Sequence, residues 1–149
     1  MARYKSKSNK IAIGVLFVLV AILAIGLVTA LFRTETQINT ETLTSINYEV
    51  GAITEEGKET ASTGCIRTKT THNVEGLSIK QKSDSNVSYK LYLYDKDEVF
   101  LTSVSDVSSI SNVEGATSFR LVITPAEEVE ISYFDIGTYS GQLMVTFDK

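Results

Sequence analysis

Apolar residues follow two different patterns along the chain. From Ile11 to Phe32 they form one uninterrupted run, IAIGVLFVLVAILAIGLVTALF, with no charge and only Thr29 polar. At 1.5 Å per residue a helix of that length covers about 33 Å, enough to cross a bilayer. In hydrocarbon a lone span must satisfy its own backbone, so the run predicts a transmembrane α-helix despite its many β-branched residues. After Arg33 the period becomes two, which predicts strands. Val87, Tyr89, Leu91 and Leu93 alternate with Ser88, Lys90, Tyr92 and Tyr94, and Phe119, Leu121 and Ile123 alternate with Arg120, Val122 and Thr124. The same alternation runs through Val129–Phe134 and Gln142–Phe147, and further strands are predicted at Ile46–Ile53, Cys65–Thr70, Leu77–Gln81 and Val99–Ser103.

Turn-forming stretches separate these runs: Glu55-Glu56-Gly57-Lys58, Glu75-Gly76, Ser83 to Asn86, Asp95 to Glu98, Asn112 to Gly115 and Gly137 to Gly141. Pro125 follows a strong strand, where a missing N–H does least harm. Short antiparallel strands with no convincing amphipathic helix predict an all-β fold, an antiparallel β-sandwich (jelly roll) behind one N-terminal transmembrane α-helix. The predicted segments are 1–10 as a basic cytoplasmic stretch, 11–32 as a signal anchor, 33–45 as a stalk or edge strand, and 46–149 as the extracellular sandwich.

Charge gives this division a direction. Residues 1–33 hold five of the 14 bases and none of the 18 acids, so they carry +5, while the remaining nine bases and 18 acids leave −9 on residues 34–149. Four bases precede the apolar run and one follows it, which places the amino terminus in the cytoplasm and the acidic part outside. Cleavage near Ala30 and secretion is the alternative, since Val28-Thr29-Ala30 offers small or aliphatic residues to a signal peptidase. The acidic part speaks against nucleic acid and anionic polymers as partners. Gly26 and Ala30 have the small-xxx-small spacing through which two helices pack, a route to a homo-oligomer.

The order Gly51-Ala52-Ile53-Thr54, Thr63 to Thr68, Tyr89 to Asp97 with Phe100-Leu101, and Phe119 to Ile123 resembles carbohydrate-binding-module-like (galactose-binding-like) jelly-roll domains of phage and Gram-positive surface proteins. The resemblance implies a jelly roll with an adhesive or glycan-binding role and no catalysis. It also implies a structural Ca²⁺.

The candidate ligand-binding residues are Tyr92, Tyr94, Arg67 and Arg120. The two tyrosines lie two apart on one strand face and would form a flat platform for a glycan, against the plainer reading that a central strand is covered on both faces. The arginines project opposite apolar neighbours and offer forks for a carboxylate or a sugar edge, or else pair with surface acids. Asp95, Asp97 and Glu98 gather three carboxylates at a turn, a candidate site for a hard cation such as Ca²⁺, although an Asp-rich hairpin turn needs no metal. Cys65 and His72, the one thiol and the one imidazole, fall on opposite strand faces, so a nucleophilic dyad is not expected. The expected function is a non-catalytic, membrane-anchored extracellular module that binds a glycan or a surface protein. The alternative is a structural or assembly subunit of a surface, pilus-like or phage-encoded complex without a small ligand.

Overall fold

A computed structural model describes residues 39–110 and 113–149. The predicted anchor at 11–32 and the basic stretch before it lie outside the described residues. Among the described residues no helix is long and apolar enough to cross a membrane.

The described part is all-β and sandwich-like, with antiparallel pairing throughout. A small sheet has the order β1 (Thr40–Thr42), β11 (Leu143–Asp148), β7 (Ser78–Gln81). A large sheet has the order β2 (Tyr48–Val50), β5 (Ile66–Thr68), β10 (Ser118–Pro125), β8 (Val87–Tyr94), β9 (Phe100–Ser105), with β6 (His72–Asn73) also paired to β10. β3 (Ala52–Ile53) and β4 (Glu59–Thr60) form a separate hairpin. β8 and β10 pair over their full eight residues, from Ser118↔Tyr94 to Pro125↔Val87, and form the spine of the large sheet. Pro125 closes that ladder at its last position, where its missing N–H interrupts nothing.

The main core lies between the two sheets. Ile66, Leu91, Leu93, Phe119, Leu121 and Ile123 of the large sheet meet Ile79, Leu143, Val145 and Phe147 of the small one. Phe119 and Phe147 touch edge to face across the gap, 5.6 Å between ring centroids. Each fully buried side chain of this size contributes about 1.5–3 kcal/mol through removal of apolar area from water.

The Thr-rich segment before Ser45 supplies an edge strand, since Thr40, Glu41 and Thr42 pair with Asp148, Phe147 and Thr146. Two predicted strands are corrected. Ile46–Ile53 is broken, first by a 3-10 turn at Ser45–Asn47 and then at Gly51, whose φ of +154 separates β2 from β3. Val129–Phe134 is not a strand: Ile131 is buried, but its backbone N–H bonds only Thr63 O, and Ser132 then closes a 3-10 turn at Tyr133–Asp135. Val129 and Ile131 are partly or fully buried, but Tyr133 is exposed and no described strand pairs with the segment. The segment read as a turn at Gly137 to Gly141 is instead a short helix, α1 (Ile136–Ser140), which buries Ile136.

His72 stands beside the inter-sheet aromatic pair, 5.7 Å from Phe119 and 5.1 Å from Phe147 by ring centroids. Its Nε2 is buried with no hydrogen-bond partner among the described residues. Burial pushes the imidazole below its ordinary pKa, nearby Glu41 opposes that shift, and Arg120 adds to it. Because the folded-state value is depressed, the unfolded chain takes up a proton as pH falls through about 6.5 while the folded chain does not, so stability is lost from there downward. Thermal melts at pH 8 and pH 5.5 should show a lower Tm at the acidic pH, and in His72→Phe the difference should shrink. An unchanged difference in that variant would count against this assignment.

Candidate functional site

The four predicted ligand-binding residues do come together, on the outer face of the large sheet. Tyr92 and Tyr94 project from β8 away from the main core, Arg67 comes from β5 and Arg120 from β10. The platform reading gives way to its alternatives, a strand covered on both faces and arginines paired with acids, because the β3–β4 hairpin lies over the tyrosines and supplies Glu59 to both arginines. Tyr92 is 4% exposed and Tyr94 5%, and they form a second apolar cluster with Ile53, Cys65 and Val122, flanked by Ala52 and Phe100. The outer face of β8 is polar at Ser88 and Lys90 and aromatic at Tyr92 and Tyr94, and the hairpin covers the aromatic part.

Hydrogen bonds hold this cover down. The Tyr92 hydroxyl donates to Ile53 O and the Tyr94 hydroxyl to Gly57 O, each at 2.9 Å. Arg67 donates from Nη1 to Ala52 O at 2.9 Å and from Nε to Glu49 Oε1 at 2.9 Å. The Glu59 carboxylate is held between two guanidinium groups, with Oε2 2.9 Å from Arg67 Nη2 and Oε1 2.6 Å from Arg120 Nη1. Arg120 also donates from Nη2 to Thr68 O, and its Nε is buried without a partner among the described residues. The Arg120 hydrogen bond holds the Glu59 carboxyl below its ordinary pKa, while burial raises the phenol values of Tyr92 and Tyr94. At the turn, Gly57 has φ +76, and a Cβ there would lie 2.5 Å from the Phe100 ring. Both the backbone and the close approach require glycine.

The three carboxylates proposed for a cation do not converge. Asp95 Oδ1 accepts the backbone N–H groups of Asp97 and Val99, each at 2.9 Å, which makes Asp95 a turn-forming side chain. Asp97 pairs with Lys96, and Glu98 accepts from the Thr71 hydroxyl. Among the described residues no group of three His, Cys, Asp or Glu side chains is placed to hold a metal ion. Cys65 and His72 lie in different clusters, on opposite faces of the large sheet. The Cys65 thiol donates to Gly51 O at 3.3 Å.

The open surface lies elsewhere. At one end of the sandwich Ser45, Ile46, Lys69, Tyr133, Phe134 and Ile136 line a groove of about 360 Å³. Phe134 is 90% exposed, and Tyr133 and Ile46 are each 76% exposed. Two short turns hold the backbone that carries these side chains. The Asp135 carboxylate accepts the backbone N–H of Ser132 at 2.8 Å and its hydroxyl at 2.5 Å, which also holds that carboxyl below its ordinary pKa. Asn47 Oδ1 accepts the backbone N–H of Thr44 at 2.8 Å in the same way, and Lys69 Nζ donates to Ile46 O at 2.8 Å. Sequence reasoning missed this groove because it placed Tyr133 and Phe134 on a strand, where they would point to opposite faces. The signal was the Ser132-x-x-Asp135 spacing, which resembles a capping box and sets a helical turn instead of a strand.

Two outcomes follow for the cover. Gly57→Ala should lower stability by about 1–3 kcal/mol, read from denaturant midpoints. Because the folded Glu59 pKa is depressed, its contribution to hairpin closure is complete above the ordinary glutamate value and is lost as pH falls through the folded one. Tyrosine fluorescence should therefore change between pH 5 and pH 3, and this step should be absent in Glu59→Gln; the same step in that variant would assign it elsewhere.

No protein-family model matches the chain, and neither does any curated protein or solved structure.

Proposed function

We propose that the chain is a membrane-anchored extracellular binding module without catalytic activity, which engages a glycan at the groove of Tyr133, Phe134 and Ile46. The observation that carries this reading is the exposure of two adjacent aromatic rings on capped turns. Solvent-exposed Tyr and Phe present apolar faces that a sugar ring can stack against, and the turns hold their backbone before binding, which lowers the ordering cost. Ser45 and Lys69 provide polar groups at the groove wall.

Strand pairing supports a jelly roll as the finer description. With the β3–β4 hairpin and the two-residue β6 set aside, β2 and β5 counted as one position and the bridge at Ser109 as another, there are eight strand positions in chain order. A jelly roll is a folded-over antiparallel ribbon, in which the first position pairs with the eighth, the second with the seventh, the third with the sixth and the fourth with the fifth. β1 pairs with β11, β5 with β10, Ser78 of β7 with Ser109, and β8 with β9, which fits all four pairings.

The second reading is an assembly subunit that docks on a surface complex, and the apolar character of Ile46 and Phe134 favours it. The full chain in lipid nanodiscs, applied to an array of neutral and acidic glycans, separates the two. Binding of a defined sugar class that falls at least tenfold in Phe134→Ala and Tyr133→Ala, with Tm unchanged, supports the glycan reading. No sugar bound, with proteins recovered on the wild type and lost on Phe134→Ala, overturns it in favour of assembly.

A further inference from the structure

We propose that β9, an outermost strand of the large sheet, pairs antiparallel with β9 of a second copy of this chain in the same membrane, joining two large sheets across a two-fold axis at Val104. The pairing does not involve the groove of Tyr133 and Phe134. It rests on the anchored part of the reading above, which brings the second copy near.

β9 has β8 on one side and, among the described residues, no strand on the other. An outer strand shows a row of unpaired backbone groups, and proteins blunt such rows with short strands, charges or proline. The other outer strands follow that rule. β1 and β2 have three residues each and carry Glu41 and Glu49, and β7 has four and carries Lys80. β9 is six residues long, Phe-Leu-Thr-Ser-Val-Ser, with neither charge nor proline. Val99 just before it is 57% exposed, and Leu101 within it 39%.

Register chooses the partner. The Asp106 N–H donates to Tyr89 O at 3.1 Å, so hydrogen-bonded pairs recur at Leu91↔Val104 and Leu93↔Thr102. Thr102 and Val104 therefore spend their backbone groups on β8, while Ser103 and Ser105 turn theirs outward. Set antiparallel about Val104, a second β9 places its Ser105 against Ser103 and its Ser103 against Ser105, which closes about four hydrogen bonds between the strands. Val104 then meets its own copy as the close, non-hydrogen-bonded pair. The strand is its own complement, as a two-fold interface requires. Charge favours the same partner. Residues 34–149 hold nine bases and 18 acids, and β9 is a neutral strip along which two such domains touch without like charges opposed. An acidic or basic peptide finds no charge there to read.

The chain before the described residues supplies the proximity. A six-residue edge covers well under the roughly 800 Å² per partner of a standard interface, so pairing between free domains is weak. The apolar run ends at Phe32 and the described residues begin at Asn39, at most about 25 Å away along extended chain. Two copies packed through Gly26 and Ala30 would hold their β9 strands at high effective concentration, where a weak contact closes.

The test uses the full chain in a Cys65→Ala background, reconstituted in liposomes and mildly oxidised. Val104→Cys sets the thiol opposite its own copy at a Cα spacing of about 4.5 Å, within disulfide range, whereas Thr102→Cys on the same face lies about 14 Å from its copy. Disulfide-linked dimer should form at least tenfold faster from Val104→Cys than from Thr102→Cys. Adding Ser103→Lys with Ser105→Lys opposes like charges across the axis and should slow the linkage at least fivefold, as should Ser103→Asp with Ser105→Asp. Mixing the two charged forms should restore it, which also shows that both fold. Equal rates for the two cysteine variants, full linkage in either charged form alone, or no restoration on mixing overturns the proposal. Phe134→Ala should leave the linkage unchanged, so failure of the groove reading is separate. Release of the chain by alkaline carbonate would remove the anchor and overturn the pairing with it, a result distinct from a carbonate-resistant chain that does not link.

Discussion

The central strands of the large sheet bury side chains on both faces, and the rest of the fold responds to that constraint. β8 turns Val87, Tyr89, Leu91 and Leu93 to the inter-sheet core and Tyr92 and Tyr94 to the other side, while β10 turns Phe119, Leu121 and Ile123 inward and Val122 outward. A sheet with one wet face needs one partner layer, but this one needs two. The small sheet covers the inner face. Nine residues of hairpin cover the outer one, and two tyrosine hydroxyls and two arginines that would otherwise be stranded under an apolar lid find their acceptors in it.

This arrangement divides the aromatic residues between opposite roles. Tyr92, Tyr94 and Phe100 are tied into the outer cluster, and Phe119 and Phe147 into the core. Tyr133 and Phe134 carry no such burden, and their capped turn holds them in solvent. Exposed side by side, with ring centroids 6.0 Å apart, they form a small apolar patch instead of scattered single hydrophobes.

Much of the fold was legible because period-two alternation reports directly on burial. The β8 and β10 assignments rest on it, and so does the placement of Arg67, Arg120, Tyr92 and Tyr94 on one shared face. Alternation cannot say what lies over a face, so it leaves an open platform and a covered face both available to Tyr92 and Tyr94: the covering hairpin consists of two-residue strands whose own signal is negligible. At Val129–Phe134 the alternation reports the burial of Ile131 correctly, but backbone pairing is a separate condition, and no partner strand is available there. The open groove was illegible for a related reason, since its rings belong to a turn set by Ser132 and Asp135 and not to any periodic element.

The pairing of the first strand with the last also has a mechanical meaning. A force that draws β1 along its own axis against β11 loads the bonds between them in shear, so they must give way together. The same bonds pulled from the side would open one after another. The edge strand therefore meets a lengthwise pull with its most collective resistance.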